Sequence, residues 1–99
     1  MKSISVTQLK KLVDNKEDFQ LIDTREATEH AEFNIGGSLM PFGNITGRIN
    51  EIEKEKPVIF YCRKGVRSQI AIQRLEQKFL FENLYNLVGG MDAWRKEFG

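Results

Sequence analysis

The chain has 99 residues, 40% of them hydrophobic and 29% charged, and 15 Lys and Arg against 14 Asp and Glu leave a net charge of +1. That is chain enough for one domain over residues 1–99, and the near balance of charge provides no global field to draw it to nucleic acid or to a membrane surface. One cysteine and one histidine exclude an internal disulfide and the usual zinc ligand sets, so no structural metal is expected.

The apolar runs are of strand length, far short of the roughly 20 residues that a membrane helix needs. Met1-Lys2-Ser3-Ile4-Ser5 has no signal-peptide core, so a cytoplasmic location is expected. Ser5-Val6-Thr7-Gln8 reads as a capping box opening a short helix with Leu9, Leu12 and Val13 on its inner face. Phe19-Gln20-Leu21-Ile22-Asp23 suits a buried parallel strand that ends on a carboxylate. A helix from Ala27 to Phe33 follows, then a glycine turn and short strand in Ile35-Gly36-Gly37-Ser38-Leu39-Met40-Pro41. Ile45, Ile49 and Ile52 recur at helical spacing ahead of Glu53-Lys54-Glu55-Lys56, a solvated helix end. Pro57-Val58-Ile59-Phe60-Tyr61 is a strand that delivers Cys62, and a helix beginning at Ser68 presents Ala71, Ile72, Leu75 and Phe79 inward. Leu84 to Val88 forms the last strand, Gly89-Gly90 a turn, and Met91 to Phe98 a closing helix with Met91, Trp94 and Phe98 in the core.

Strand and helix patterns alternate along the whole chain, which favours an α/β fold: a small parallel β-sheet flanked by helices on both faces. Ligand sites in such sheets lie beyond the carboxyl ends of the strands, where Asp23 and Cys62 both fall. Alone, Cys62 reads as a small buried hydrophobe. The segment Cys62-Arg63-Lys64-Gly65-Val66-Arg67-Ser68 changes that, because a strand ending at a thiol, a glycine turn and a helix start aim backbone N–H groups and the positive helix end at the sulfur. Such settings favour the thiolate, the reactive form, and Arg63, Lys64 and Arg67 point to an anionic partner. His30, in a polar helical stretch, reads as a solvated surface residue without a role, and Asp23 reads equally as a helix cap or a site residue.

Three stretches resemble the single-domain rhodaneses, a family of sulfurtransferases. Leu21-Ile22-Asp23-Thr24-Arg25-Glu26 with Glu29 is similar to that family's first signature, Cys62 to Ser68 to its active-site loop, and Leu87-Val88-Gly89-Gly90-Met91-Asp92-Ala93-Trp94 to its closing signature. The chain departs from the family at Phe33-Asn34-Ile35-Gly36-Gly37-Ser38, where members usually read Gly-His-Ile-Pro-Gly-Ala. The resemblance implies one rhodanese-like domain over 1–99 with Cys62 as the catalytic nucleophile. Cys62 would take the sulfane sulfur of thiosulfate or a persulfide donor and pass it to cyanide or a thiol, which a protein can carry, with no cofactor. Backbone N–H groups of Arg63, Lys64, Gly65, Val66 and Arg67 would surround the persulfide. Arg67 is expected to bind the donor's anionic group, with Arg63 and Lys64 steering anions from the rim. Asp23 is expected to brace the loop arginine or backbone, Arg25 to pair with a carboxylate near the turn, and Ser68 to support the loop.

The nearest competing chemistry is a cysteine phosphatase. That loop places five residues between cysteine and arginine, whereas only Arg63, Lys64, Gly65 and Val66 intervene here, a ring suited to one sulfur atom. A thiol-disulfide or arsenate reductase lacks its second cysteine. A catalytically idle rhodanese-like module for binding or regulation is the alternative from another class, and retention of Cys62 and Arg67 argues against it.

Overall fold

The computed structural model describes all residues, 1–99. Five strands, β1 (Lys2–Ile4), β2 (Gln20–Asp23), β3 (Ser38–Leu39), β4 (Val58–Tyr61) and β5 (Leu84–Leu87), form one sheet in the order β1-β5-β4-β2-β3. Every pairing is parallel, so each connection is a crossover and the strand carboxyl ends share one edge of the sheet. The α/β reading with helices on both faces is thus what the chain adopts.

Side-chain alternation along β4 divides the interior into two cores. Val58 and Phe60 join Ile22, Leu84, Ala71, Ile72 and Leu75 on one face, beneath α3 (Val66–Lys78) and a 3-10 helix over Phe42–Glu51. Ile59 and Tyr61 join Leu9, Leu21, Leu87 and Met91 on the other, beneath α1 (Val6–Asp14) and α4 (Gly90–Phe98). All four β4 side chains are buried, which explains why this strand reads as a continuous apolar run.

The capping box forms as read: Gln8 N–H donates to Ser5 Oγ at 3.1 Å, and Ser5 N–H donates to Gln8 Oε1 at 2.9 Å. Several local expectations change. Lys2–Ile4 is an edge strand with no apolar run to announce it: Lys2 and Ser3 are exposed, and backbone pairing with β5 defines it. Val13 and Phe98 are 42% and 38% exposed rather than core, and Phe98 lies against Trp94 with ring centroids 4.7 Å apart. The isoleucine-spaced segment winds as a 3-10 helix, not an α-helix; Gly43 and Gly47 weaken the α preference, while Ile45 and Ile52 are still buried. Glu53 to Lys56 follows that helix as an irregular, mostly exposed loop rather than forming its end. The helix after Cys62 starts at Val66, two residues ahead of Ser68. A six-residue helix, α2 (Ala27–Glu32), connects β2 to the glycine turn. No helix is long and apolar enough to cross a membrane.

Candidate active site

β4 is the central strand of the sheet, and the residue after it, Cys62, comes to rest at the shared carboxyl edge with only 1% of its surface exposed. Gly65 N–H donates to the Cys62 sulfur at 3.1 Å, Ser68 N–H approaches it at 3.4 Å, and Ser68 Oγ lies 3.4 Å away. Gly65 reaches this position at φ +94°, in the left-handed region where a side chain is strained, so the sharp return toward the sulfur depends on glycine. The N–H groups of Arg63, Lys64, Val66 and Arg67 find no acceptor within the protein. These four residues, with Cys62, line a small open cavity of about 200 Å³.

Two features not apparent in the sequence hold the loop. Asn86, on β5, accepts from Ser68 Oγ and donates to Gly65 O at 3.1 Å, bridging the two residues that touch the sulfur. Its signal was a polar residue inside an otherwise apolar strand. The start of α4 supplies the second hold: Met91 N–H donates to Cys62 O at 2.8 Å and Asp92 N–H to Arg63 O at 2.9 Å. Helix N-terminal N–H groups lack partners of their own, so α4 turns the loop carbonyls toward itself and leaves the loop N–H groups for the cavity. Gly89-Gly90 is therefore more than a turn. A Cβ at Gly90 would collide with the carbonyl oxygens of Cys62 and Arg63, so the helix can seat against the loop only with glycine there.

The charged residues pair differently from expectation. Asp23 does not reach the loop arginine; its carboxylate is buried against Arg25, which donates through Nε at 3.0 Å and Nη2 at 2.8 Å. Nor does it cap α2, whose first turn is closed by Glu26 and Glu29. Arg25 thus meets its carboxylate on its own strand end, and its Nη2 also donates to Phe33 O at 2.6 Å. His30 is not a free surface residue: its Nδ1 lies 2.8 Å from Asp23 Oδ2. Burial disfavours the Asp23 carboxylate, but hydrogen bonds from Arg25 and His30 outweigh it and hold its pKa below the ordinary value. The stretch Phe33 to Ser38 is fastened by that Arg25 bond and by Tyr61 Oη, which donates to Gly36 O at 3.0 Å. Burial pushes the Tyr61 hydroxyl pKa upward, so it serves as a neutral donor.

Arg67 lines the cavity, yet its guanidinium is occupied by Glu29 of α2 in a two-pronged pair, Nη1 to Oε1 at 3.0 Å and Nη2 to Oε2 at 3.1 Å. Arg67 holds the Glu29 carboxyl at about 2, well below its ordinary 4.5. Arg63 is two-thirds exposed and lies 3.5 Å from Asp92, a loose surface pair. Lys64 has no acidic partner. A second, larger cavity of about 570 Å³ opens beside the loop between α2 and α4 and shares Arg63 with the first.

With a sulfur so cradled at the end of the central strand, family comparison decides the assignment: residues 5–97 match the rhodanese-like domain. The chain belongs to the rhodanese-like domain family. This rhodanese-like chain is 34% identical over 98 residues to YtwF of Bacillus subtilis, covering 98% of this chain and 93% of that protein. It is 32% identical over 95 residues to the thiosulfate sulfurtransferase GlpE of Coxiella burnetii, covering 95% of this chain and 87% of GlpE. Among solved structures, a rhodanese-like domain protein from Staphylococcus aureus superposes with a TM-score of 0.84 at 30% identity, covering 95% of this chain and 91% of that one. The family resemblance carried by the three signatures is borne out, and the similarity to rhodanese-like relatives that include a named sulfurtransferase supports a sulfurtransferase family.

Proposed function

We propose that this protein is a sulfurtransferase that carries a sulfane sulfur on Cys62 as a persulfide, taking it from thiosulfate or another persulfide and passing it to a thiol or cyanide. The observation that carries this reading is that the N–H groups of Arg63, Lys64, Val66 and Arg67 find no acceptor within the protein, while the same four residues and Cys62 line one small cavity. Such donors stabilise an anion on the outer persulfide sulfur as an oxyanion hole stabilises oxygen.

In the first half-reaction the Cys62 thiolate attacks the donor's outer sulfur. A new S–S bond forms, the donor's S–S bond breaks, and its electron pair leaves on sulfite from thiosulfate, or on a thiolate from a persulfide. In the second, the acceptor's nucleophile attacks the outer sulfur and the electron pair returns to Cys62. Two-electron transfer of a sulfur atom balances without an external oxidant or a cofactor. The Arg67–Glu29 pair speaks against a phosphatase, because the loop arginine is turned to a carboxylate on α2.

Incubation with thiosulfate or an alkyl persulfide, followed by intact mass measurement, is expected to find one added sulfur atom that cyanide removes as thiocyanate. Cys62→Ser is expected to keep the fold and lack the adduct. Absence of an adduct with both donors would leave the domain as a binding module and overturn the proposal.

A further inference from the structure

We propose that Glu29 sets donor choice: by occupying the anion-binding face of Arg67 it disfavours the thiosulfate dianion and leaves a loop suited to singly charged persulfides. This rests on the sulfurtransferase reading and names its donor class.

The argument begins with a charge count at the mouth of the cavity. The loop carries Arg63, Lys64 and Arg67, but Asp92 lies 3.5 Å from Arg63 and Glu29 binds Arg67 at 3.0 and 3.1 Å, so Lys64 is the one loop cation without a carboxylate partner. Thiosulfate brings two negative charges to a thiolate, and a persulfide brings one. Opposite charges attract and like charges repel more strongly in a partly desolvated site than in water, so each uncompensated charge weighs on the approach. Withdrawing Arg67 from this count weighs more on the dianion than on the persulfide.

The two countering carboxylates differ in grip. Arg63 and Asp92 are 67% and 48% exposed, a surface pair of the kind worth little, and Arg63 can swing to a ligand. Arg67 and Glu29 are 29% and 31% exposed and meet through both guanidinium ends, the geometry with which arginine grips a sulfonate-like group. Glu29 is itself held in place, its Oε1 accepting from Glu26 N–H at 3.1 Å across the first turn of α2. The carboxylate therefore occupies the guanidinium edge with which Arg67 would otherwise hold the oxygens of thiosulfate. Because its carboxyl titrates at about 2, it remains charged at physiological pH.

Both donors balance the same way. With thiosulfate, the Cys62–S bond forms as the S–S bond to the sulfonate breaks and sulfite departs with the pair. With an alkyl persulfide, the alkyl thiolate departs instead.

Glu29→Gln is the suitable variant, because the amide oxygen can still accept from Glu26 N–H while the negative charge is gone. Transfer to Cys62 is measured with thiosulfate and with the hydropersulfide of 2-mercaptoethanol, whose head is neutral. The expected result is that the ratio of the thiosulfate KM to the persulfide KM falls about tenfold in the variant, carried by KM rather than kcat. A ratio that stays at the wild-type value overturns the proposal, as does a change confined to kcat. Sulfur transfer from neither donor would overturn the underlying reading and this inference with it. A second measurement needs no sulfur transfer: sulfate is titrated as protection of Cys62 against iodoacetamide, a neutral alkylating agent. Protection at lower sulfate concentration in Glu29→Gln than in wild type is expected, and equal protection in both overturns the proposal.

Discussion

Cys62 owes its setting to neighbours that are themselves fastened: Gly65 and Ser68 touch the sulfur, Asn86 ties both, and Arg67 is held off by Glu29. Among these contacts the Glu29–Arg67 pair has a pH signature whose sign is definite. The Glu29 carboxyl sits at about 2 in the folded chain against an ordinary 4.5. A group whose pKa is lowered by folding stabilises the fold above its ordinary pKa and loses that contribution as pH falls through the folded value. Asp23, lowered by Arg25 and His30 despite its burial, acts in the same direction. The stability difference between wild type and Glu29→Gln, read from urea midpoints, should therefore be largest near neutrality and shrink as pH falls from 4.5 toward about 2. A difference independent of pH would mean that the pair contributes through packing alone.

At the scale of elements, the site is a junction of strand β4, helix α3 and the start of α4. The last is the least apparent contributor, since none of its side chains touches the sulfur in a hydrogen bond. Its backbone N–H groups take the carbonyls of Cys62 and Arg63, and Gly90 permits the approach at φ +56°. Gly90→Ala should lower stability by about 1–3 kcal/mol, combining a left-handed backbone with a collision against two carbonyls, and should impair the loop as well. Gly43→Ala is the matched control, because a Cβ there meets nothing within 4 Å. Chemical denaturation compares the two, and equal loss in both would show that the contact at α4 is not what holds the loop.

For the whole molecule, the two cores on either side of the sheet decide whether the site exists at all. Leu75 is fully buried on α3 in the core that includes Val58 and Phe60, and truncation there should cost about 2–5 kcal/mol. Leu80, just beyond the same helix, is fully exposed, and Leu80→Ala should change stability by less than about 0.5 kcal/mol. Thermal or urea unfolding of both variants checks the contrast. Because every strand pairs in parallel and each core spans several crossovers, a single cooperative transition is expected, with Trp94 fluorescence and far-ultraviolet circular dichroism giving coincident curves.

Much of this was legible in the chain itself, because periodicity and end signals are local. The Ser5–Gln8 capping box, the buried run before Cys62, the glycine at position 65 and the alternation of strand and helix each follow from residues within one turn or one strand. So did the family, through three short signatures. What only the tertiary structure decided are partnerships between residues far apart in sequence. Glu29 meets Arg67 across 38 positions and Ser68 meets Asn86 across 18. Even the near pairing of Asp23 with Arg25 and His30, rather than with the loop arginine, needed the folded geometry. The edge strand Lys2–Ile4 exists only because β5 pairs with it. A side chain's intrinsic preference is written in the residue, but which charge satisfies which is settled by distance in the folded chain, and distance is set by the packing of the sheet and its helices.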